Sequence, residues 1–310
     1  MMRFASGGLQ GHVNLTILEE LEIPKIKLGF QLEVEAIIKL AFSKRHNSKQ
    51  TYTAAEEILL QEIGLKDFTP SNDPVNIKNL SESFTTSGSL DAEYYQRKYE
   101  QVVNKITSQS YDTLENLVTI TKSIEPGSAH YAEEGLPFLR VADYSKFGLT
   151  EPQKYLSSDF VTDNQKLIER LKPKKGTILF SKDGSVGTAY HLRNDVDGIT
   201  SGAILHLKVK DTDKIIPEYL TLALNSKLVQ MQAERDAGGS IILHWRVSEI
   251  ENVVVPVIDY TKQTEIAALI EQSFTLKKQS EHLLETAKRA VEIAIEENED
   301  AALDYIKENS

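Results

Sequence analysis

ASGGLQGHVNLTILEELEIPKI (5–26) and AGGSIILHWRVSEIENVVVPVI (237–258) are one pattern written twice: sliding the sequence over itself by 232 positions aligns them without a gap. The register continues beyond both copies. It pairs Ala5 with Ala237, Gly7 with Gly239, His12 with His244, Glu19 with Glu251, Pro24 with Pro256, Gln31 with Gln263, Glu33 with Glu265, Ala36 with Ala268, Ile38 with Ile270 and Phe42 with Phe274. Self-similarity at a fixed offset marks a repeated structural unit. Each copy reads as a Gly-rich turn, a short helix or turn, a strand ending in Pro, and then a long helix.

Both helices carry an apolar stripe at i, i+3, i+4, i+7 spacing, which lines one face of an α-helix. In the first copy it is Val34, Ile37, Ile38 and Ala41, then Ala55, Ile58 and Leu59; in the second, Ile266, Leu269, Ile270 and Ser273, then Leu283, Leu284, Ala287 and Val291. Stripes this long call for a partner, and an intramolecular antiparallel coiled coil is the simplest one. Between the helices, GLKDFTPSNDPVNIKN (64–79) is turn chemistry, and SLDAEYYQRKYEQVVNKI (89–106) reads as an amphipathic helix with Asp91 near its start. Beyond it, short β-rich runs at 138–141, 177–180, 203–209 and 253–257 alternate with Gly, Asn and Asp turns. Pro217 opens a helix, PEYLTLALNSKLVQMQAERDA, at the position Pro favours. The expected fold class is α+β: one mixed α/β domain plus two long helices forming an antiparallel coiled coil. The expected segments are 1–27, the end of a first domain; 28–66, the first long helix; 67–84, a linker; 85–260, the mixed domain; and 261–310, the second long helix with an acidic tail.

The chain has no cysteine, which excludes disulfides and thiolate metal sites, and its seven histidines never fall at ligand-like spacing. The start, MMRFASGG, lacks the n- and h-regions of a signal peptide, and the apolar run 253–258 is broken by Pro256, so a cytoplasmic protein with no membrane association is expected. The net charge of −11 argues against a nucleic-acid partner until its distribution is read. Residues 85–258 hold 20 basic and 23 acidic side chains (−3), whereas 259–310 hold 6 and 12 (−6). Within the middle segment, Lys166, Arg170, Lys172, Lys174, Lys175 and Lys182 form a local positive stretch.

Five segments then read together. LPFLRVADYSKFG (136–148), LKPKKGTILFSKDGSVGTAY (171–190), GITSGAILHLKV (198–209), PEYLTLALNSKLVQ (217–230) and GGSIILHWRVSEIENVVVPV (238–257), with Gln263 and a long helix after them, resemble the target-recognition domain of Type I restriction–modification specificity subunits. LDAEYYQRKY (90–99) resembles the start of the second such domain. The resemblance implies a non-catalytic subunit that reads double-stranded DNA and directs a modification (methyltransferase) subunit, and a restriction (endonuclease/translocase) subunit, to a bipartite site. It also implies two domains, each followed by a spacer helix. Only residues 1–27 stand where the first domain belongs, so a half-sized subunit acting as a homodimer is expected, with a C₂ pairing or a half supplied in trans.

Candidate DNA contacts come from these segments. FSKDGSVG (180–187) contributes Ser181, Lys182, Asp183 and Ser185: its glycines let backbone N–H groups approach a phosphate, and Lys182 suits a phosphate or guanine O6 and N7. Asp183–Gly184 also signals an ordinary hairpin turn. GITSGA offers the hydroxyls of Thr200 and Ser201, which equally suit a strand-opening turn. GGSIILHWR offers Ser240, His244 and Arg246; Asn14 stands at the Arg246 position of the other copy, as suits a reader that differs between half-sites, while the shared histidine suits a structural role. Trp245 reads as core. Arg140, with Asp143 close behind it, and Lys146 complete the set.

No constellation for catalysis is present: the chain lacks G-x-x-x-x-G-K-[ST], H-E-x-x-H, G-x-S-x-G and the tetrapeptide of adenine methyltransferases. No cofactor or metal is expected. The rival reading is a protein-interaction scaffold built on the coiled coil, which salt-insensitive partner capture distinguishes from salt-dependent duplex binding.

Overall fold

The computed structural model describes residues 19, 23–71, 73, 75–238 and 242–310. By internal contacts the chain divides into two units, Lys49–Phe274 and Met1–Ser48 together with Thr275–Ser310.

In Lys49–Phe274, Ile204–Val209 sits inside a four-stranded antiparallel sheet, between Val118–Lys122 and Ile178–Ser181, with Ala189–His191 beyond the latter. All of Ile178–Ser181 and the first four residues of Ile204–Val209 are buried. That is what an unbroken apolar run, rather than an alternating one, means for a strand. A second, mixed sheet orders Ile199–Thr200, Leu136–Leu139, Tyr155–Leu156 and Tyr131–Ala132; its first pair is parallel, with Ile199 opposite Phe138. Tyr111–Thr113 pairs antiparallel with Val254–Pro256, the strand of the repeated unit. The β-rich runs of the sequence thus become strands with ends shifted by one or two residues.

The helix that Pro217 opens is two helices, Pro217–Asn225 and Lys227–Asp236, with Ser226 extended between them (φ −75°, ψ 160°). Asn225 causes the break: its amide accepts from Ala189 N (3.0 Å) and donates to Ala189 O (2.8 Å), tying the helix end to a strand. Similarly, Gln96 (ψ 137°) separates a 3₁₀ turn at Glu93–Tyr95 from the helix Arg97–Thr107, which buries Tyr99, Val102 and Ile106.

The first long helix spans Leu28–Glu62 and the second Tyr260–Glu296. They run antiparallel in both units. In one, Phe30, Ile37 and Ala41 share a core with Leu283, Ala287, Ala290 and Ile293, and Lys44 Nζ donates to Gln279 (2.9 Å). In the other, Ala55, Leu59 and Ile63 share a core with Ile266 and Ile270, and Lys262 meets Glu62 at 3.8 Å. The architecture is therefore the expected mixed α/β domain plus two long antiparallel helices. The acidic tail is a third helix, Glu299–Asn309, started by Asn298, whose side chain accepts from Ala301 N; it buries Ala302 and Ile306.

The repeat survives as geometry. Gln263 Nε2 donates to Ile258 O (2.9 Å), and 232 positions earlier Gln31 Nε2 donates to Ile26 O (2.7 Å). The strand expected at 21–26 lies partly outside the described residues, and 23–27 form none. No helix among the described residues is long and apolar enough to cross a membrane.

Candidate functional site

Two loops of Lys49–Phe274 are joined into one edge. The first, 181–188, links Ile178–Ser181 to Ala189–His191; Gly184 (φ +73°) and Gly187 (φ +80°) take left-handed conformations that other residues resist. Ser181 locks it from inside, its hydroxyl donating to Ser185 O and accepting from Thr188 N. The second loop, around 242–246, lies against the first: Gly184 N donates to Leu243 O (2.9 Å) and Trp245 N to Lys182 O (2.8 Å). Trp245 is fully buried, its ring 5.7 Å from that of Phe180, so it anchors the loop to the sheet, as its core reading required.

The join carries charge on its outer side. Asp183 takes the Lys182 ammonium on one oxygen and faces His244 Nδ1 on the other, at 3.0 Å. With Nδ1 so engaged, Nε2 is the imidazole nitrogen left to meet a ligand. His244 and Ser185 are exposed and Lys182 half-buried. The Arg246 side chain is 78% exposed; its guanidinium and its backbone N–H both donate to Glu249 at the start of Val247–Glu251. Lys182, Asp183, Ser185, His244 and Arg246 therefore share two adjoining loops.

The other candidates stand off the joined loops, although Lys146 lines a groove that it shares with Ser185. The hydroxyls of Ser181, Thr200 and Ser201 correct the expectation that they reach a ligand, because all three are buried. Within GITSGA, Ile199–Thr200 is a buried strand at the end of the second sheet: it pairs with Leu136–Leu139, Ser201 N donates to Leu139 O, and Thr200 Oγ1 meets His206 Nε2 at 2.8 Å. Arg140, its side chain 37% exposed, has its Nε 3.5 Å from buried Asp143 and its backbone N–H on the same carboxylate. Lys146 lies against the first long helix, bound to Glu56 (3.0 Å) and over the Tyr52 ring (4.6 Å). Ser240 lies outside the described residues.

Gln230 and Asn225 were not read from the sequence as part of this edge. Gln230 Nε2 donates to Gly187 O (2.8 Å), so both amides brace the hairpin from the helix side. The one hint was a polar Asn-Ser pair inside an apolar helical pattern. With Ser185, Thr188 and Phe147 they line an open groove of about 530 Å³.

On the far side of Arg246 lies a basin of about 710 Å³ lined by Asp91, Glu93, Glu234, Asp236 and Glu249. Arg235 forks onto Asp236 there, and burial pushes the Asp236 carboxyl above the usual range in spite of that partner. Five carboxyl groups against Arg235 and Arg246 disfavour a phosphate on this side. On the Lys182–His244 edge a single carboxylate, Asp183, faces the ammonium of Lys182 and the imidazole of His244. Among the described residues no group of three His, Asp or Glu is placed to hold a metal ion.

A family model for the Type I restriction modification DNA specificity domain matches residues 112–286. Among solved structures, the chain is similar to the HsdS subunit from Thermoanaerobacter tengcongensis (16% identity, 90% of this chain and 57% of that one, TM-score 0.40). It is also similar to the Type I restriction-modification system S subunit from M. genitalium (14% identity, 98% and 68%, TM-score 0.43). A third similar structure, from work on complex assembly and conformational transition of the type I R-M system, gives 16% identity, 90% and 58% coverage and a TM-score of 0.41. The chain thus spans 57% of the length of the first of these. A comparison with curated protein sequences finds no match.

Proposed function

The chain belongs to the Type I restriction modification DNA specificity domain family, the one its five segments resemble, and from that premise we propose that it reads a DNA sequence through the edge formed by 181–188 and 242–246. The observation that carries this reading is the join itself. Loops far apart in sequence are joined by Asp183 and His244 so that Lys182, Ser185, His244 and Arg246 stand on two adjoining loops. Lys182 and Arg246 supply major-groove donors matched to guanine, with the Arg fork suited to bidentate contact. Ser185 and the hairpin N–H groups suit phosphate, which fixes register without specifying sequence. Arg140 and Lys146, which stand off the joined loops, act in second place.

In this reading the chain carries no chemistry of its own. It directs a methyltransferase subunit, and with it a restriction subunit, to a bipartite site, the long antiparallel helices setting the spacing, and it acts in the cytoplasm as a homodimer. Duplex selection from a random library by the chain assembled with its methyltransferase tests this. Enrichment of an interrupted sequence, with affinity falling as salt rises, is the expected result. No enriched sequence, together with partner capture that is indifferent to salt, means a scaffold instead. Sedimentation of the purified chain tests the homodimer: a monomer at micromolar concentration removes it.

A further inference from the structure

Ile242 and Leu243 are neighbours in the chain, and their side chains are 55% and 40% exposed. A lone apolar side chain at a surface is ordinary. This pair is set apart by where it is held. Gly238 and His244 exchange backbone hydrogen bonds (3.2 and 2.8 Å), and Ile242 and Leu243 belong to the loop which that exchange closes. Leu243 O accepts from Gly184 N (2.9 Å), which fastens the loop to the hairpin that carries Lys182, Asp183 and Ser185. His244, the next residue, faces Asp183 at 3.0 Å, and Trp245 after it is fully buried. Two apolar side chains thus stand open at the tip of a loop that is tied down on both sides.

Two observations choose the occupant. The first is the repeat. In the other copy Gln10 and Gly11 stand at the positions of Ile242 and Leu243, while His12, Glu19 and Pro24 match His244, Glu251 and Pro256. The frame is kept and the tip is changed. A protein that docks on the repeated unit needs one tip chemistry in both copies, whereas a reader of bases does not. The second is the chemistry of a duplex. In the major groove the edges of the base pairs are hydrogen-bond donors and acceptors, apart from one apolar group, the 5-methyl of thymine. Lys182, Ser185 and Arg246 suit the polar edges; Ile242 and Leu243 suit that methyl alone.

We infer that Ile242 and Leu243 are specificity-determining residues that receive the 5-methyl group of a thymine in the major groove, beside the polar contacts of Lys182 and Arg246. The inference rests on the DNA reading proposed above and adds a base to it. A duplex laid on Lys182 and His244 lies over the loop tip that carries the pair. Covering one methyl group with apolar side chains is worth about fourfold in affinity. The other use of such side chains on DNA is a wedge between base steps, entered from the minor groove. A wedge is indifferent to the thymine methyl, which lies in the opposite groove.

The test takes the full chain, assembled with its methyltransferase, and the duplex that it selects from the random library. Each thymine is replaced in turn by uracil, which lacks only the methyl, and by 5-bromouracil, whose bromine fills the place of the methyl. Fluorescence anisotropy at fixed salt reads the affinity. The expected result is one or two positions at which uracil costs about fourfold and 5-bromouracil restores binding. The double variant Ile242→Ala, Leu243→Ala changes exposed side chains only and keeps the carbonyl that Gly184 binds. It should bind thymine and uracil alike at those positions, and still prefer the selected duplex to a scrambled one. A selected sequence without thymine, indifference to uracil at every position, or a full uracil penalty in the double variant overturns the inference and leaves the DNA reading standing. No selected duplex at all overturns both. The uracil scan on the unaltered chain needs no variant, so it decides even if the double variant misfolds.

Discussion

His206 makes the stability of the recognition unit depend on pH in a direction and size that its surroundings fix. It lies on Ile204–Val209, 8% exposed, with the Thr200 hydroxyl as its side-chain partner. Burial pushes its imidazole down from 6.5 to about 4, because the cation is what desolvation penalises. The unfolded chain therefore binds a proton near pH 6.5 that the folded chain refuses until about pH 4. Stability is then fully present above pH 6.5 and is lost as pH falls through that window. The shift of about 2.5 units corresponds, at about 1.4 kcal/mol per unit, to about 3 kcal/mol, roughly three quarters of it gone by about pH 4.5. His206→Gln keeps an amide for the Thr200 hydroxyl and cannot titrate. Urea unfolding of both proteins from about pH 7.5 to about 4.5 should show wild type losing about 2–3 kcal/mol relative to the variant. The imidazole should titrate near 4 by NMR. A midpoint near 6.5, or a difference between the two proteins that does not change with pH, would refute the argument.

Lys182→Ala should weaken binding of the selected duplex by about 5- to 150-fold, as loss of one base contact of about 1–3 kcal/mol does, measured by fluorescence anisotropy at fixed salt. Arg246→Ala should cost about tenfold or more on that duplex and relax selectivity at one base pair. Glu249→Gln, which only releases the guanidinium, should keep that selectivity; equal loss in both variants would mean that Arg246 works only as a helix cap. Trp245→Ala should destabilise the unit by about 3–5 kcal/mol, because it empties a fully buried site against Phe180, and circular dichroism in urea reads this.

The parts legible in the sequence were those whose cause is local or periodic. Long apolar stripes without Pro or Gly gave two helices, β-branched runs gave strands, and the 232-residue register gave a repeat that reappears as the Gln31 and Gln263 bonds. What escaped depends on partners far along the chain. Thr200 and Ser201 look like any polar turn until Leu136–Leu139 pairs beside them. Lys146 is a free cation on paper and finds Glu56, 90 residues away. The helix from Pro217 breaks at Ser226 because Asn225 prefers a strand 36 residues back. The site itself is of this kind: Asp183 and His244 stand 61 residues apart, and nothing in either segment announces the other.

The same non-local pairing changes how the charge of the unit should be read. The positive stretch from Lys166 to Lys182 suggests an electrostatic footprint, but Lys172 is shared by Glu169 and Asp197, Lys174 meets Asp195, and Lys182 rests on Asp183. The Lys174–Asp195 pair, open on both sides, contributes little to stability, since water screens it. Together these pairs do cancel the field a phosphate backbone would feel at a distance. Because affinity without sequence preference grows with the number of phosphates neutralised, a chain whose cations are held by its own carboxylates should bind random duplex weakly by itself. In the proposed reading its discrimination rests on the few donors that the two loops bring to one edge, and the salt slope of the isolated chain, set against that of an assembled complex, measures how the bulk affinity divides between them.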